Sequence, residues 1–180
     1  MTIDDLFRRK VKEQGGVVVM AGSPSDKPHV DKLVAELEKF GIPYAAEFAS
    51  AHKQPHRVLG LQRAYDHLDG NIVYIAVAGG TDALSGTLSW HTTNPVISSP
   101  PETSKKPREH NMSCIGNPDG SSNGYVGRPH NVARLAAQIL THTDPSYTGA
   151  IEDLKSKKIT DSDKSGKLLK VVYAKRQEGD

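Results

Sequence analysis

The sequence of 180 residues contains a single cysteine, Cys114, so no disulfide can form within the chain. A lone thiol suits a reducing compartment, and we therefore expect a cytoplasmic protein. No stretch approaches the roughly 20 consecutive apolar residues that a membrane-spanning helix needs. The early acidic residues of MTIDDLFRRKVKEQ argue against a secretory signal. These absences exclude a disulfide scaffold and a membrane protein, and they predict a soluble chain.

A strong charge of either sign is also missing, because 23 Lys and Arg residues face 21 Asp and Glu residues and leave a net charge of +2. Basic residues become denser after Lys155, but no aromatic residues alternate with them as a base-stacking surface requires. A solvated tail is the simpler interpretation, so no nucleic-acid partner is expected. The hydrophobic fraction is only 36%, and it is concentrated in residues 17–140. We predict one α/β domain over 17–140, an N-terminal helical extension over 1–16 and a C-terminal helical tail over 141–180.

Apolar runs typical of buried parallel strands alternate along the chain with amphipathic segments typical of helices. This alternation predicts a three-layer α/β/α domain with a parallel sheet, of the flavodoxin-like or Rossmann-like type. The polar segment 102–124 predicts a long loop. Strands are predicted at 17–21, 44–48, 72–78, 95–99 and 125–126, and helices at 3–13, 28–40, 58–68, 83–91, 131–140, 147–157 and 167–175.

Three motifs that carry polar or glycine-rich chemistry each follow one of the first three predicted strands. They are GSPSD after the first strand, SAHK after the second and AGGTDALSG after the third. Ligands of open parallel sheets bind beyond the carboxyl ends of the strands. The sequence therefore predicts that the three motifs meet in one binding site.

The GSPSD motif places Gly22, Ser23, Ser25 and Asp26 at the start of a helix. A helix start has unpaired N–H groups and a partial positive charge, so it attracts phosphate. The serine hydroxyls can donate to that phosphate, and the carboxylate can accept from ribose hydroxyls. Simple helix capping by Ser and Asp explains the motif equally well. The motif is neither a Walker loop nor a GxGxxG dinucleotide loop.

The SAHK motif contains His52, which can move protons near neutral pH, and Lys53, which can hold an anion. A histidine that only caps a helix or bonds locally is the plainer alternative. His56 follows four residues later, but Pro55 lies between them and no third ligand is evident, so no metal site is predicted.

The AGGTDALSG motif can lay the backbone N–H groups of Gly79 and Gly80 against a planar or anionic ligand, although a plain strand-to-helix turn would look the same. Trp90 is expected in the core. Cys114 has no base partner nearby in the sequence, so we do not expect it to be a nucleophile.

Taken together, GSPSD, SAHK, AGGTDALSG, NPVISSPP and NVARLAAQIL resemble, in this order, the PurE family of purine biosynthesis over residues 17–140. The resemblance implies an enzyme that acts on aminoimidazole ribonucleotides without biotin, ATP or a metal. One class of the family adds carbon dioxide directly to a ring carbon. The other class is a mutase that moves a carboxylate from the exocyclic nitrogen to that carbon. Family members are symmetric homo-oligomers, so a tetramer or octamer is expected.

Lysine after the histidine of SAHK, the ALSG of Ala83 to Gly86 and the proline pair at 100–101 resemble the direct carboxylase. Gly80 resembles the mutases, and Asp82 and the segment 115–120 depart from both classes. Direct carboxylation of aminoimidazole ribonucleotide is thus the leading hypothesis. The alternatives are the mutase, a nucleotide-binding relative without catalysis, and a carboxylase of another heteroaromatic nucleotide.

The resemblance also implies roles for individual residues. His52 is the expected catalytic proton shuttle. The phosphate would be bound by Ser23, Ser25 and Lys53, and the ribose by Asp26. The ring and its carboxylate would lie against Gly79, Gly80 and Ser85, and the remaining substrate-binding residues would be Gly22, Ser50 and Ala51.

Overall fold

Five parallel strands form the sheet in the computed structural model, which describes residues 3–101 and 112–177, with side chains as far as residue 162. The strands are β1 (Gly16–Ala21), β2 (Tyr44–Phe48), β3 (Ile72–Val77), β4 (Val96–Ser98) and β5 (Asn123–Tyr125). The helices are α1 (Asp5–Gln14), α2 (Lys27–Lys39), α3 (Pro55–Asp66), α4 (Ala83–His91), α5 (Pro129–Leu140) and α6 (Ser146–Gln177). Within these ranges, no helix has the length and apolar character that a bilayer span requires.

The strand order is β2-β1-β3-β4-β5, and every neighbouring pair is parallel. Val18 at the centre of β1 pairs with Ala45 on one side and Tyr74 on the other. The chain leaves β1 toward β2 in one direction and then crosses to β3 on the opposite side. Such a reversal opens a crevice at the carboxyl ends of the two strands, and this strand order is the flavodoxin-like one.

Alternating side chains of the sheet fill two separate cores. Val17 and Val19 belong to the core that α2 and α5 cover, whereas Val18 and Met20 belong to the core that α1, α3 and α4 cover. All six residues of β1 are buried, as are all six of β3. A strand covered on both faces needs an unbroken apolar run, which is the pattern that the sequence shows. The predicted three-layer α/β/α fold is therefore confirmed.

Gly15 makes the tight connection between α1 and β1. Its φ of 75° lies in the left-handed region that glycine tolerates, and an added Cβ would lie 2.6 Å from Cδ2 of Leu140. The N–H of Gly15 donates to the carbonyl of Val11 at 2.9 Å and closes the last turn of α1. The turn brings Phe7 and Val11 of α1 against the sheet.

The C-terminal helix differs from the prediction of two helical pieces at 147–157 and 167–175. The structure has one continuous helix over Ser146–Gln177. The intervening residues include Gly166 and several serines and aspartates, which are weak helix formers, but no proline interrupts the hydrogen-bond ladder. The beginning of α6 packs on the main domain through Tyr147 and Ile151. The proposed division at residues 16 and 140 stays a prediction.

The loop predicted at 102–124 contains more structure than its composition suggests. Residues 102–111 lie outside the described part, whereas Ser113–Gly116 form a short 3₁₀ helix and Asn123–Tyr125 form β5. The predicted last strand was therefore placed about two residues too late. The expectation that Trp90 lies in the core was wrong, because its side chain is 60% exposed on the outer side of α4. Its ring covers Gly120, where an added Cβ would lie 2.3 Å from Cζ3.

Candidate active site

A cavity of about 660 Å³ opens at the carboxyl edge of the sheet, beside the ends of β1 and β3. Its wall is made by the segments that follow β1, β2 and β3, with further contributions after β4 and β5. All of the residues predicted for the site line this cavity except Lys53 and Ser85. Those that line it are Gly22, Ser23, Ser25, Asp26, Ser50, Ala51, His52, Gly79 and Gly80.

The GSPSD motif forms a short 3₁₀ helix, Pro24–Asp26, that leads directly into α2. The Oγ of Ser23 accepts from the N–H of Ser25 at 3.3 Å, and the two serine Oγ atoms lie 2.8 Å apart. Ser23 is thus a capping residue and also part of the cavity wall. Capping and ligand binding, which the sequence left as alternatives, are compatible at this position.

Asp26 is a largely buried carboxylate at the base of the cavity, with 8% of its surface exposed. An added Cβ on Gly79 would lie 3.2 Å from Oδ1 of Asp26 and 3.3 Å from Cγ of Pro101. A side chain on this residue of the loop after β3 would crowd the carboxylate, and glycine avoids that crowding. This contact joins the ends of β1 and β3 at the reversal of the strand order.

The SAHK motif forms a turn between β2 and α3. The Oγ of Ser50 accepts from the N–H of Lys53 at 3.3 Å, and its carbonyl accepts from the N–H of Gln54 at 2.7 Å. His52 lies at the tip of this turn, and its exposed imidazole lines the cavity together with Gly22 and Gly79. The three motifs therefore share one cavity. Lys53 is exposed and lies outside the cavity wall of this chain.

Asp82, one of the departures from the family pattern, is buried behind the glycine turn, with only 2% of its surface exposed. Its Oδ1 accepts from the N–H of Ser85 at 2.9 Å and so caps α4, while Oδ2 accepts from the hydroxyl of Ser98. Its own N–H donates to Oγ of Ser113 at 2.8 Å. The carboxylate thus ties the β3–α4 loop to β4 and to the short 3₁₀ helix.

The thiol of Cys114 is buried next to this network, with 2% of its surface exposed. Burial raises the pKa of the thiol, and the nearby carboxylate of Asp82 acts in the same direction. The thiolate is the nucleophilic form of cysteine, so this environment disfavours nucleophilic chemistry.

Ser85 is completely buried and supports the site from behind. Its Oγ accepts from Nδ2 of Asn117 at 3.5 Å, and the same amide nitrogen donates to Oδ1 of Asn123 at 2.7 Å. An added Cβ on Gly86 would lie 2.8 Å from Oδ1 of Asn117. Asn117, the second departure from the family pattern, thus connects α4 with β5.

Two polar side chains of α2 line the cavity although the sequence analysis did not single them out. They are His29, whose Nε2 lies 3.0 Å from Oγ of Ser99, and Lys32. Their spacing from Asp26 is three and six residues, which places all three on one side of the helix. This spacing is the sequence feature from which their place at the site could have been predicted. The other unpredicted lining residues are Pro28, Ala78, Thr81, Leu84, Pro101, Gly127 and Pro129.

Over residues 3–101 and 112–177, no group of three or more His, Cys, Asp and Glu side chains has an arrangement that could hold a metal ion. His52 and His56 in particular belong to no such group in this part of the chain.

Comparison with known proteins agrees with this geometry. The family model described as AIR carboxylase matches residues 16–161. The chain belongs to the AIR carboxylase family. Members of this family are enzymes of purine biosynthesis.

Two curated relatives in the AIR carboxylase family are named phosphoribosylaminoimidazole carboxylase. The Treponema denticola protein is 34% identical over 136 residues, which are 76% of this chain and 86% of that protein. The Archaeoglobus fulgidus protein is 36% identical over 127 residues, which are 71% and 69% of the two chains. The crystal structure of Treponema denticola PurE superimposes with a TM-score of 0.81 at 31% identity, and the match covers 86% of this chain and 98% of that one. The resemblance to the PurE family is therefore confirmed.

Proposed function

We propose that this chain is a phosphoribosylaminoimidazole carboxylase, which adds carbon dioxide directly to the ring carbon of aminoimidazole ribonucleotide. The observation that carries the proposal is the shared cavity. It joins the imidazole of His52 to the turn of Gly79 and Gly80 and to the serine hydroxyls after β1. The names of the two relatives support the same reaction.

The reaction requires that the two reactants be positioned and that a proton be transferred from the ring carbon. The aminoimidazole ring is an electron-rich enamine, so its ring carbon can attack carbon dioxide without a biotin, ATP or metal. The new carbon–carbon bond forms as the carbon dioxide becomes a carboxylate, and the ring carbon then loses its proton. The site must orient the two reactants, exclude water and accept that proton. His52 is the group in the cavity that we assign to the proton transfer.

We assign the remaining substrate contacts to the cavity wall. Ser23 and Ser25 bind the phosphate, and Asp26 accepts from the ribose hydroxyls. Gly79 and Gly80 lie against the ring and its new carboxylate, next to Ala51.

Further substrate contacts are assigned to Gly22 and Ser50, which also line the cavity. The buried Ser85 acts from behind the turn through Asp82 and Asn117. Lys53 lies outside the cavity wall of this chain. We propose that it contacts the phosphate in the substrate-bound homo-oligomer.

The test is a product assay with purified protein. Incubation with aminoimidazole ribonucleotide and bicarbonate, as a source of carbon dioxide, should give the ring-carboxylated nucleotide without ATP, detected by chromatography and mass spectrometry. The His52→Asn variant should lose roughly 100-fold or more in turnover, because it removes the imidazole that we assign to the proton transfer. It should still bind the nucleotide.

Turnover of the N-carboxylated compound alone would identify a mutase instead. If neither substrate reacts although aminoimidazole ribonucleotide binds, the chain is a nucleotide-binding relative without catalysis. Unchanged turnover of His52→Asn would remove this imidazole from the mechanism.

A further inference from the structure

Few charged side chains line the cavity. Among the described lining residues, Asp26 is the only carboxylate and Lys32 is the only lysine or arginine, and the imidazoles of His29 and His52 complete the titratable groups. A phosphomonoester carries a charge of about −1.5 to −2 at pH 7. Placing it near a buried carboxylate requires a cation within reach, and the wall of the cavity offers one.

Lys32 differs from the other lysines of α2 that form ion pairs. Nζ of Lys27 lies 2.7 Å from Oδ1 of Asp31, and Nζ of Lys39 lies 2.6 Å from Oε1 of Glu36. Lys32 has no ion pair and no side-chain hydrogen bond among the described residues, and its side chain is exposed toward the cavity. Its ammonium group is therefore available for a ligand.

The position of Lys32 on α2 determines which part of the ligand it can meet. It follows the serine hydroxyls of the GSPSD motif on the same continuous segment, on the side of the helix that also carries Asp26 and His29. Nε2 of His29 lies 3.0 Å from Oγ of Ser99, so this side of α2 lies against the end of β4. The imidazole of His52 comes from a different segment, the turn after β2. The anion that the hydroxyls, the helix start and the ammonium share is the phosphate and not the reacting ring.

We propose that Lys32 is a phosphate-binding residue of this site and sets the enzyme's preference for a phosphorylated ligand over the free nucleoside. The identity of the nucleotide rests on the proposed function, whereas the recognition of a sugar phosphate does not. A charge-assisted hydrogen bond from an ammonium to a phosphate oxygen is among the strong polar contacts in proteins. It is also weakened by added salt, because the ammonium is exposed.

The first test measures steady-state kinetics with aminoimidazole ribonucleotide. In the Lys32→Met variant, KM should rise by about 10- to 100-fold, with kcat changed by less than about threefold. Lys32→Arg should restore most of the affinity, since it keeps the charge. Lys27→Met is the matched control, because it removes an exposed lysine of the same helix that pairs with Asp31 and lies outside the cavity wall. Its KM should match the wild type.

The second test is calorimetric binding of ribose 5-phosphate and ribose, which requires no turnover. The wild type should prefer the phosphorylated sugar, with an affinity that falls as salt is added, and Lys32→Met should lose that preference by about tenfold or more. An unchanged affinity of Lys32→Met, an equal loss for ribose, or a wild type without preference would overturn the proposal. A protein that fails to carboxylate aminoimidazole ribonucleotide but shows the Lys32-dependent preference would overturn the proposed function alone.

Discussion

Two buried tyrosine hydroxyls, on Tyr74 and Tyr147, have different hydrogen-bond environments. The hydroxyl of Tyr74 donates to Oδ1 of Asp66 at 2.7 Å and lies 3.0 Å from the carbonyl of Gln62. The hydroxyl of Tyr147 has no hydrogen-bond partner among the described residues, although the side chain is only 2% exposed. A buried polar group without a partner costs free energy, whereas a bonded one contributes to stability.

This difference predicts opposite results for the same substitution. Tyr74→Phe should lower the free energy of unfolding by about 1–3 kcal/mol, because it removes a buried hydrogen bond to the carboxylate of Asp66, whose Oδ1 then keeps only the donors of Thr92 and Asn94. Tyr147→Phe should be neutral or slightly stabilising. Urea titrations followed by circular dichroism measure both values. A clear loss of stability in Tyr147→Phe would show that its hydroxyl is bonded in solution.

The polar residues behind the site illustrate what a single sequence does not reveal. In the sequence, Asp82 and the segment 115–120, which contains Asn117, stood out only as departures from a family pattern. In the structure Asp82 caps α4 and accepts from Ser98, while Asn117 connects Ser85 with β5. The cap is a local contact, but the bonds of Asp82 to Ser98 and of Asn117 to Ser85 join residues 16 and 32 positions apart, which local sequence patterns do not predict.

Among the helices, α6 is attached to the domain at its beginning and by a polar contact farther along. Tyr147 and Ile151 enter the core between the sheet and α5. Nζ of Lys158 lies 2.8 Å from Nε2 of His130, whose Nδ1 lies 2.9 Å from Oε2 of Glu36. If the lysine donates to Nε2, the proton of the neutral imidazole is on Nδ1 and is donated to the carboxylate.

Glu36 of α2 is the acceptor at the end of this chain of hydrogen bonds. Its partial burial alone would raise the pKa of the carboxyl, but hydrogen bonds from Lys39 and His130 outweigh that effect and the net shift is downward. The carboxylate therefore stays ionised over the neutral range and keeps α2, α5 and α6 connected.

Two isoleucines of α6 test how the helix is held. Ile151 is 9% exposed and lies in the core, whereas Ile159 is 55% exposed. Ile151→Ala should lower the free energy of unfolding by about 2–3 kcal/mol through lost packing. Ile159→Ala should change it by less than about 0.5 kcal/mol. Both substitutions raise helix propensity by the same amount. The difference between their changes in the free energy of unfolding, measured by urea titration, is therefore the contribution of packing. Equal effects would mean that α6 does not pack on the domain in solution.

The strands and most helices follow from the sequence because each needs a repeating pattern of apolar residues. A parallel strand buried on both faces requires a continuous run such as VVVMA, and the turn residues on either side mark its ends. The break predicted within α6 was wrong because weak helix formers only disfavour a helix, whereas proline would have blocked it. Trp90 was misassigned because large aromatic residues are usually well buried, whereas its side chain is 60% exposed and lies against Gly120.

Across the molecule as a whole, burial keeps several weak acids protonated. Burial, followed by the charge of Asp144, raises the pKa of Tyr147 to about 12. Burial is also the largest cause of the upward shifts in the pKa of Tyr65 and Tyr74, and nearby carboxylates add to it. Each of these groups has a higher pKa folded than unfolded, so the folded chain holds its proton more tightly.

The sign of these shifts predicts loss of stability in alkali. The three protonated tyrosines should make their full contribution to the free energy of unfolding below about pH 10, which is the pKa of tyrosine in an unfolded chain. It should then decline as the pH rises toward the folded values, by about 1.4 kcal/mol per pH unit for each tyrosine. Urea midpoints measured between pH 8 and pH 11 check this, and Tyr147→Phe should show a shallower decline. A stability that rises above pH 10 would contradict the prediction.

The outline of the site was predictable for the same reason as the fold. Once the strands are located, the segments at their carboxyl ends must meet, which brought GSPSD, SAHK and AGGTDALSG together. His29 and Lys32 were missed because polar residues on a helix are ordinarily solvated, and only the packing of α2 against the sheet turns that side toward the cavity. The placement of Lys53 depends on the direction of a turn, which the sequence does not encode at short range.

The cavity wall combines residues as far apart along the chain as Gly22 and Pro129. No fragment that lacks either end can present the complete wall, so a ligand binds only the fully assembled sheet. Occupancy is therefore thermodynamically linked to folding. A ligand present at 100 times its dissociation constant adds about 2.7 kcal/mol to the stability of the entire chain. A saturating ligand should therefore slow any proteolysis that proceeds through the unfolded chain.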